Sequence, residues 1–287
     1  MDEVRNALTF DVEDWHQLVE WKLNGVLPAC STRVIGQTHD ILEVLARRGV
    51  HATFFVLGVV AEAHPQLVRD IAAAGHEVGS HGWSHRLVYR QSPDEFAAET
   101  LRSKSVLEGI IGRPILGYRA AEFSITDASR WALDILAGCG FKYDSSVFPI
   151  AGQRYGIAGA PTAPHQVKTV SGDMTELPMT VVDWRGRRFP VGGGGYFRLA
   201  PYSITRAAIR NVNAEGRAAV VYFHPYEFSR SWLVPRLESA RSYLTGGRYL
   251  LFHNFNRGVN RRRFERLLTD FSFTPAAEIL HLVQHAR

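Results

Sequence analysis

The chain has few cysteines and no long hydrophobic run, and both absences restrict what it can be. Its 287 residues include two cysteines, Cys30 and Cys139, too few for a disulfide framework or a zinc knuckle. No segment reaches the roughly 18 consecutive apolar residues of a membrane-spanning helix. The N-terminus lacks the basic and apolar stretches of a secretory signal. We therefore expect buried thiols and a cytoplasmic protein in a reducing compartment.

Internal repeats, low-complexity tracts and linker-like segments are also missing from the sequence. Hydrophobic residues make up 46% and charged residues 21% of the chain, which is typical of a soluble globular protein. A chain of this length can bury one large α/β core. We therefore expect a single domain over residues 1–287.

Positive charge is in excess, with a net charge of +5. Much of it lies near the C-terminus, in Arg257, Arg261, Arg262, Arg263 and Arg266. Apolar Phe264, Leu267 and Leu268 recur among these arginines at helical spacing, which indicates a solvated helix face rather than a nucleic-acid site. Contact with anionic lipid headgroups is the second interpretation, and it would place the protein peripherally at the inner membrane face.

Strand-like and helical segments alternate along most of the chain. Apolar or β-branched runs at 7–10, 52–57, 78–80, 116–119 and 218–223 predict strands. Periodic segments predict helices from Ser31 or Thr32 to Gly49, and at 65–74, 93–111, 127–137 and 201–215. The helix at 93–111 begins with a capping box, Ser92-Pro93-Asp94-Glu95. Short connections between these segments predict a parallel sheet or barrel.

The alternation loosens between residues 149 and 201, where glycine and proline are frequent. A run of four glycines, 192–195, follows no strand and lacks the GK[ST] of a phosphate loop. It is either a mobile turn or a close approach of the backbone to a sugar, with Tyr196 and Arg198 beside it.

Two histidines four residues apart, His81 and His85, follow a short apolar run. Imidazole is the commonest protein ligand of transition metals, although an isolated pair at this spacing is usually structural. A second cluster, Asp11, Glu13 and Asp14, stands at the end of the first predicted strand. Two strands whose carboxyl ends carry carboxylates and histidines supply what a hydrolytic site with three metal ligands needs.

The motifs LTFDVEDW, HATFFVLG, HEVGSHGWSH, GYRAAEFSI and VVYFHPYE occur in this order between about Leu8 and Phe228. Together they resemble the polysaccharide deacetylases, the NodB-homology family or carbohydrate esterase family four. The Asp-Val-Glu-Asp form of the first motif resembles the branch associated with exosortase and exopolysaccharide loci. The resemblance implies a distorted (β/α) barrel of about seven strands. We expect a helical extension to follow it from about residue 229.

The resemblance also implies roles for single residues. Asp11 matches the base that accepts a proton from the attacking water, and His81 and His85 match two metal ligands. The third ligand is Asp14 or Glu13. We favour Asp14, because Glu13 would alternate away if the strand continued.

Three further parts of the site come from later motifs. Arg119 matches the arginine that holds the base, but Ala120, Ala121 and Glu122 replace the prolines usual after it, so the backbone N–H for the oxyanion is left open. His224 matches the acid that protonates the departing amine, and Asp144 could orient it. We expect Tyr196, Arg198 and Glu122 to contact substrate.

These expectations combine into a hydrolase with one divalent metal ion, zinc being the expected one. It would remove N-acetyl groups from a hexosamine-containing poly- or oligosaccharide, an exopolysaccharide intermediate that is either free or lipid-linked. One alternative is a small-molecule amidase or cyclic-imide hydrolase on the same fold. Another is a saccharide-binding protein without turnover, against which the set Asp11, His81, His85 and His224 argues.

Overall fold

The alternation of strands and helices is present in the computed structural model of the protein, which describes residues 4–152, 154–229, 231–236 and 240–282. The strands are β1 Asn6–Val12, β2 Thr53–Val56, β3 Glu77–Ser80, β4 Gly117–Tyr118, β5 Tyr143–Asp144, β6 His165–Thr169, β7 Gly172–Glu176, β8 Val181–Trp184, β9 Arg187–Pro190, β10 Val220–Phe223 and β11 Phe273–Thr274. The five strands predicted between residues 7 and 223 are confirmed as β1, β2, β3, β4 and β10, each to within a few residues.

The helices also follow the sequence pattern closely. They are α1 Trp15–Asn24, α2 Arg33–Arg48, α3 Gly58–Ala63, α4 Pro65–Ala73, α5 Pro93–Ile111, α6 Trp131–Gly138, α7 Gly194–Leu199, α8 Tyr202–Ala214, α9 Ala240–Asn254, α10 Arg257–Asp270 and α11 Ala276–Ile279. Short 3-10 turns lie at Val88–Arg90, Ala121–Phe123, Asp127–Ser129 and Pro225–Phe228. The capping box before α5 is confirmed, with both reciprocal bonds between Ser92 and Glu95. Helix α1 lies in a segment that none of the predicted strands or helices covers.

Strand pairing brings the predicted site strands side by side. The main sheet has the order β10-β1-β2-β3-β4-β5-β7-β6, and all neighbours in it are parallel except β6 and β7. Strands β8 and β9 form a separate hairpin. Because parallel strands end at the same edge, residues that follow β1, β3, β4 and β10 meet there. The α/β fold with a parallel sheet is therefore confirmed.

The sheet curves towards a barrel through an irregular seam. Within the residues that the structure describes, the two outer strands, β10 and β6, do not pair with each other. Three backbone hydrogen bonds connect the segments between β5 and β10. The N–H of Met179 donates to Val147 O at 3.0 Å, that of Val191 to Thr180 O at 3.1 Å, and that of Tyr222 to Gly192 O at 2.8 Å. Loop segments thus take the place that strands would have in a regular barrel.

Strand β1 is buried along its whole length, and its side chains point alternately into two different environments. Leu8, Phe10 and Val12 pack in the large apolar cluster beneath the helices, where the Phe10 ring stacks on Phe54 at 4.9 Å. Ala7 belongs to the other cluster, within the curve of the sheet. Asp11 shares the side of Ala7, because side chains two residues apart lie on one face. The strand therefore delivers Asp11 to the interior of the curved sheet.

The segment after residue 229 is more than the helical extension that was expected. Its strand β11 pairs with β1, so the chain returns to the main sheet. Phe264, Leu267 and Leu268 of α10 are buried as their spacing predicted. Two arginines of the predicted solvated face instead have structural roles. Arg257 and Arg263 donate to backbone carbonyls of the preceding segments.

None of the helices that the structure describes is long and apolar enough to cross a membrane.

Candidate active site

Three buried side chains converge at the carboxyl edge of the sheet. Glu13, His81 and His85 each offer a ligand atom, and these atoms lie within 4.8 Å of one another. Glu13 Oε2 is 2.9 Å from His85 Nε2 and 3.9 Å from His81 Nε2. Two imidazoles and one carboxylate are a donor set typical of hydrolytic zinc sites. The group thus has the composition and the spacing of a metal centre.

Local backbone geometry positions the two histidines. His81 directly follows β3, and its Nδ1 lies 2.8 Å from the carbonyl oxygen of Arg119. A hydrogen on Nδ1 donated to this carbonyl leaves the Nε2 lone pair directed at Glu13, the arrangement that orients histidine ligands in metal sites. His85 has a left-handed backbone with φ of 61°, a conformation uncommon for a residue other than glycine.

The expectation that Asp14 is the third ligand is corrected by this geometry. Asp14 is the N-cap of α1: its carboxylate accepts from His16 N at 3.1 Å and from Ser31 N. The strand ends at Val12, so the alternation on which the expectation was based stops before Glu13. It is therefore the Glu13 carboxylate that faces the two histidines.

The charge state of Glu13 suits a cation. Burial by itself would raise the pKa of this carboxyl, but His85, His224 and His81 outweigh it and hold the pKa far below its usual range. Glu13 Oε2 has no well-oriented hydrogen-bond donor among the described residues. Burial lowers the pKa of His81, which favours the neutral imidazole that a metal requires. A buried anionic oxygen beside two ring nitrogens fits a divalent ion.

Asp11 and Arg119 form a buried ion pair beside this group. Arg119 Nη1 donates to Asp11 Oδ1 at 3.0 Å and to Thr9 Oγ1 at 2.7 Å. The rest of the guanidinium donates to Ser145 O and Oγ and lies over the ring of Phe55. With every side of the guanidinium occupied, Arg119 can hold the Asp11 carboxylate in one orientation. The structure thus brings these two predicted residues together.

His224 follows β10 and lies beside the group formed by Glu13, His81 and His85. Its Nε2 is 3.7 Å from Glu13 Oε1, and its Nδ1 is 3.0 Å from Glu227 Oε1. Burial lowers the pKa of His224, but the charges of Glu13 and Glu227 outweigh burial and raise the pKa to about 9. Protonated His224 can therefore donate a proton from Nε2.

The partner of His224 is Glu227 and not Asp144, which corrects that expectation. Asp144 accepts from Ser146 N at 3.0 Å and from Ser146 Oγ at 2.6 Å. The same Ser146 Oγ accepts from Ala120 N at 2.7 Å, so this N–H, a candidate for the oxyanion, already has a partner. His224 and Glu227 are three residues apart, and the 3-10 turn Pro225–Phe228 brings their side chains together; this spacing is the signal in the sequence that points to Glu227.

The three expected substrate contacts have different positions. Tyr196 is 39% exposed and its hydroxyl is 2.8 Å from that of Tyr155. Glu122 forms ion pairs with Lys22 and Arg154; burial raises its pKa, but these cations outweigh burial and lower it to about 2. Arg198 is 1% exposed and donates to Phe252 O. Arg198 is thus a buried structural residue, and the expectation of a sugar contact is corrected.

The glycine run is ordered rather than a free turn. Gly193 is the N-cap of α7, and Gly194 is its first residue. A Cβ on Gly194 would lie 2.5 Å from Glu227 Oε1, closer than such atoms approach. The absence of a side chain at Gly194 therefore leaves room for the carboxylate that contacts His224.

Two family models match the two halves of the chain separately. Residues 7–143 match the family model described as polysaccharide deacetylase, and residues 145–281 match one described as a domain of unknown function, DUF3473. Strands β1 and β10 pair across this division. The second half therefore supplies His224 and Glu227 to a site whose other residues lie in the first.

Two curated relatives match shorter parts of the chain. A chitooligosaccharide deacetylase of Bradyrhizobium sp. (strain ANU 289) is 33% identical over 100 residues, 35% of this chain and 43% of that protein. A peptidoglycan-N-acetylglucosamine deacetylase of Bacillus cereus is 36% identical over 75 residues, 26% of this chain and 27% of that protein. The matched segments thus span less than half of either relative.

A solved structure matches along nearly the whole chain. The crystal structure of a proposed polysaccharide deacetylase from Mycobacterium smegmatis has a TM-score of 0.63 at 21% identity, covering 97% of this chain and 89% of that one. At this identity the likeness shows the fold.

Proposed function

We propose that the protein is a metal-dependent hydrolase that removes N-acetyl groups from a hexosamine-containing saccharide, because residues 7–143 match the family model described as polysaccharide deacetylase. The observation that carries the proposal is the arrangement around Glu13, His81 and His85. The Asp11 carboxylate, fixed by Arg119, and His224, whose pKa is raised, both lie beside this group. A base and an acid around a metal centre are what amide hydrolysis requires.

Glu13, His81 and His85 would hold the ion, and zinc is the ion we propose. A divalent ion bound there would polarise the acetyl carbonyl and lower the pKa of bound water to about 7.

The chain's own residues supply the proton transfers. Asp11, oriented by Arg119, accepts a proton from the water that attacks the acetyl carbon. His224 donates a proton from Nε2 to the amide nitrogen as the carbon–nitrogen bond breaks, while Glu227 keeps Nδ1 engaged. The products are acetate and a free amine. Each acid–base group of this kind contributes about two to four orders of magnitude in rate.

A substrate longer than one sugar needs space beside the centre. A cleft of about 480 Å³ is lined by Asp14, the residue after Glu13, and by His16, Gln17, Arg33 and Arg236 among others. This cleft supports a poly- or oligosaccharide over a small-molecule amide.

We also propose that the substrate is an exopolysaccharide intermediate handled in the cytoplasm. The support is the Asp-Val-Glu-Asp form of the first motif and the two cysteines, Cys30 and Cys139, which are free thiols. Unpaired thiols suit a reducing compartment.

The test is acetate release from a panel of N-acetylated hexosamine oligosaccharides, with chelator and with added zinc. We expect release that chelator abolishes and zinc restores. His85→Ala should abolish release, whereas His39→Ala, a substitution of a half-exposed histidine on α2, should leave it unchanged. Absence of acetate release from every member of the panel by the zinc-loaded protein would refute the proposal.

A further inference from the structure

The second half of the chain carries an exposed apolar surface that the proposed hydrolysis does not explain. We call it the apolar patch and define it by Tyr196, Leu199, Leu251, Phe252, Phe255 and Val259. Leu251 is 77% exposed and Phe255 is 58% exposed. Leu251 lies in the last turn of α9, and Phe255, the residue after the helix, donates its N–H to Leu251 O at 3.0 Å; this helical spacing of four residues places both side chains on one face. Monomeric proteins rarely expose such contiguous surfaces unless a partner binds there.

Contacts between α7 and the α9–α10 turn make the patch continuous. A Cβ on Gly195 would lie 3.8 Å from the Phe252 ring. Arg198 donates to Phe252 O at 3.2 Å, and Asn256 donates back to Arg198 O at 2.9 Å. These two bonds hold the backbone that carries Leu199 against the turn that carries Phe255. The patch is one surface built from three helices.

Positive charge is concentrated in the same part of the chain. Residues 191–287 contain fourteen arginines and six acidic residues, whereas residues 1–190 contain nineteen lysines and arginines and twenty-two acidic residues. Although Arg257 and Arg263 are used within the fold, Arg262 is exposed on α10 and has no ion pair with a described residue. Arg261 and Arg266, on the same helix, form ion pairs with Glu265 at 3.5 Å and with Asp270 at 3.8 Å. At these distances the charge of each arginine is only partly neutralised. Cations thus border the apolar centre.

We infer that the apolar patch docks on an anionic lipid surface. An apolar face that enters the boundary between headgroups and acyl chains, bordered by arginines that meet anionic headgroups, is the pattern of proteins that lie on a membrane. A nucleic acid would need cations and not Leu251 and Phe255 at the centre of contact. Docking does not depend on the proposed hydrolysis, because neither the metal group nor His224 belongs to the patch.

The patch also borders the candidate active site. Gly194 of α7 lies against Glu227, the partner of His224, and the next two residues lead into the patch through Gly195 and Tyr196. Docking would therefore hold this side of the site close to the membrane surface. A saccharide attached to a lipid carrier would be presented there.

The test is sedimentation of the full chain with vesicles of phosphatidylcholine alone or of phosphatidylcholine with phosphatidylglycerol. We expect binding to the anionic vesicles that falls with salt, since charge attraction is screened. The double variant Leu251→Asp and Phe255→Asp should bind about tenfold or more weakly, because it loses apolar burial. Arg262→Glu should bind about fivefold or more weakly, at about 1 kcal/mol per basic residue near the surface.

Two matched controls alter the surface elsewhere. Val170→Asp changes a residue that is 96% exposed between β6 and β7, and Arg69→Glu changes an exposed arginine of α4; both should bind as the unaltered chain does. Thermal unfolding confirms that each variant is folded. Equal binding of all variants, or no binding to anionic vesicles, overturns the inference. So does light scattering in which the Leu251 and Phe255 variant changes a dimer into a monomer, because the patch would then join two copies.

Discussion

Glu13 and Asp14 are consecutive residues whose carboxylates serve different parts of the structure. Glu13 Oε2 lies 2.9 Å from His85 Nε2, whereas Asp14 accepts from the backbone N–H groups of His16 and Ser31. The first carboxylate completes the group that fits a metal ion, and the second begins helix α1 and fixes the loop that leads to α2. Their separation gives a direct test of the site.

Glu13→Ala should lose metal and activity together. Only His81 and His85 would remain as ligands, so we expect metal affinity to fall by more than about 100-fold, beyond the loss typical of an outer-shell change. Metal content after dialysis and acetate release at increasing zinc concentrations measure both effects. High zinc should restore part of the activity.

Asp14→Ala is the matched comparison. It should cost about 1 kcal/mol of unfolding free energy through the lost helix cap, seen as a lower melting temperature, and it should keep its metal. If Asp14→Ala emptied the site and Glu13→Ala did not, the ligand assignment would have to be reversed.

Asp11→Asn should retain metal and fold while turnover falls by about two to four orders of magnitude, because the amide cannot accept the proton of water. We expect the turnover to fall because the base is lost and not because the side chain is misplaced, since the amide still presents an oxygen to Arg119. Metal analysis and kcat on the same preparation decide it. Recovery of turnover on adding zinc would mean that Asp11 holds metal rather than a proton.

Glu227→Gln should move the alkaline limb of the kcat profile to lower pH. His224 acts as an acid only while protonated, so activity persists below its pKa, which is raised to about 9, and is lost above it. Removing the charge of Glu227 removes part of the cause of the raised pKa, and the loss must then begin at lower pH. His224→Ala, in contrast, should lower kcat at every pH. An unchanged limb in Glu227→Gln would show that Glu227 has no influence on the acid.

Gly194→Ala should lower kcat with little change in metal content. The added Cβ would meet Glu227 Oε1 at 2.5 Å and displace the carboxylate from His224. Gly195→Ala is the control, because its nearest contact is the Phe252 ring at 3.8 Å, an ordinary van der Waals distance. The two variants make the same change at adjacent positions of one helix. Equal kcat values for both would refute the role given to Gly194.

The sequence by itself determined the features that depend on a few neighbouring residues. The helix α5 begins where Ser92 and Glu95 predicted, since both capping bonds are local. The buried strands β1 and β2 follow from continuous apolar runs. His81 and His85 lie together because they share one short loop. They lie near the residues that follow β1 because β1, β2 and β3 pair in parallel and end at the same edge of the sheet.

Only the tertiary structure decided which of several equivalent groups meets the histidines. Asp14 and Glu13 differ in role because a backbone N–H from Ser31, seventeen residues away, binds one of them. Glu227 and not Asp144 contacts His224, because Ser146 already holds Asp144. Arg198 looks like a loop cation in sequence, but packing of α7 against α9 buries it. Hydrogen bonds and packing between distant segments are not encoded in any local pattern, so they appear only once the chain is folded.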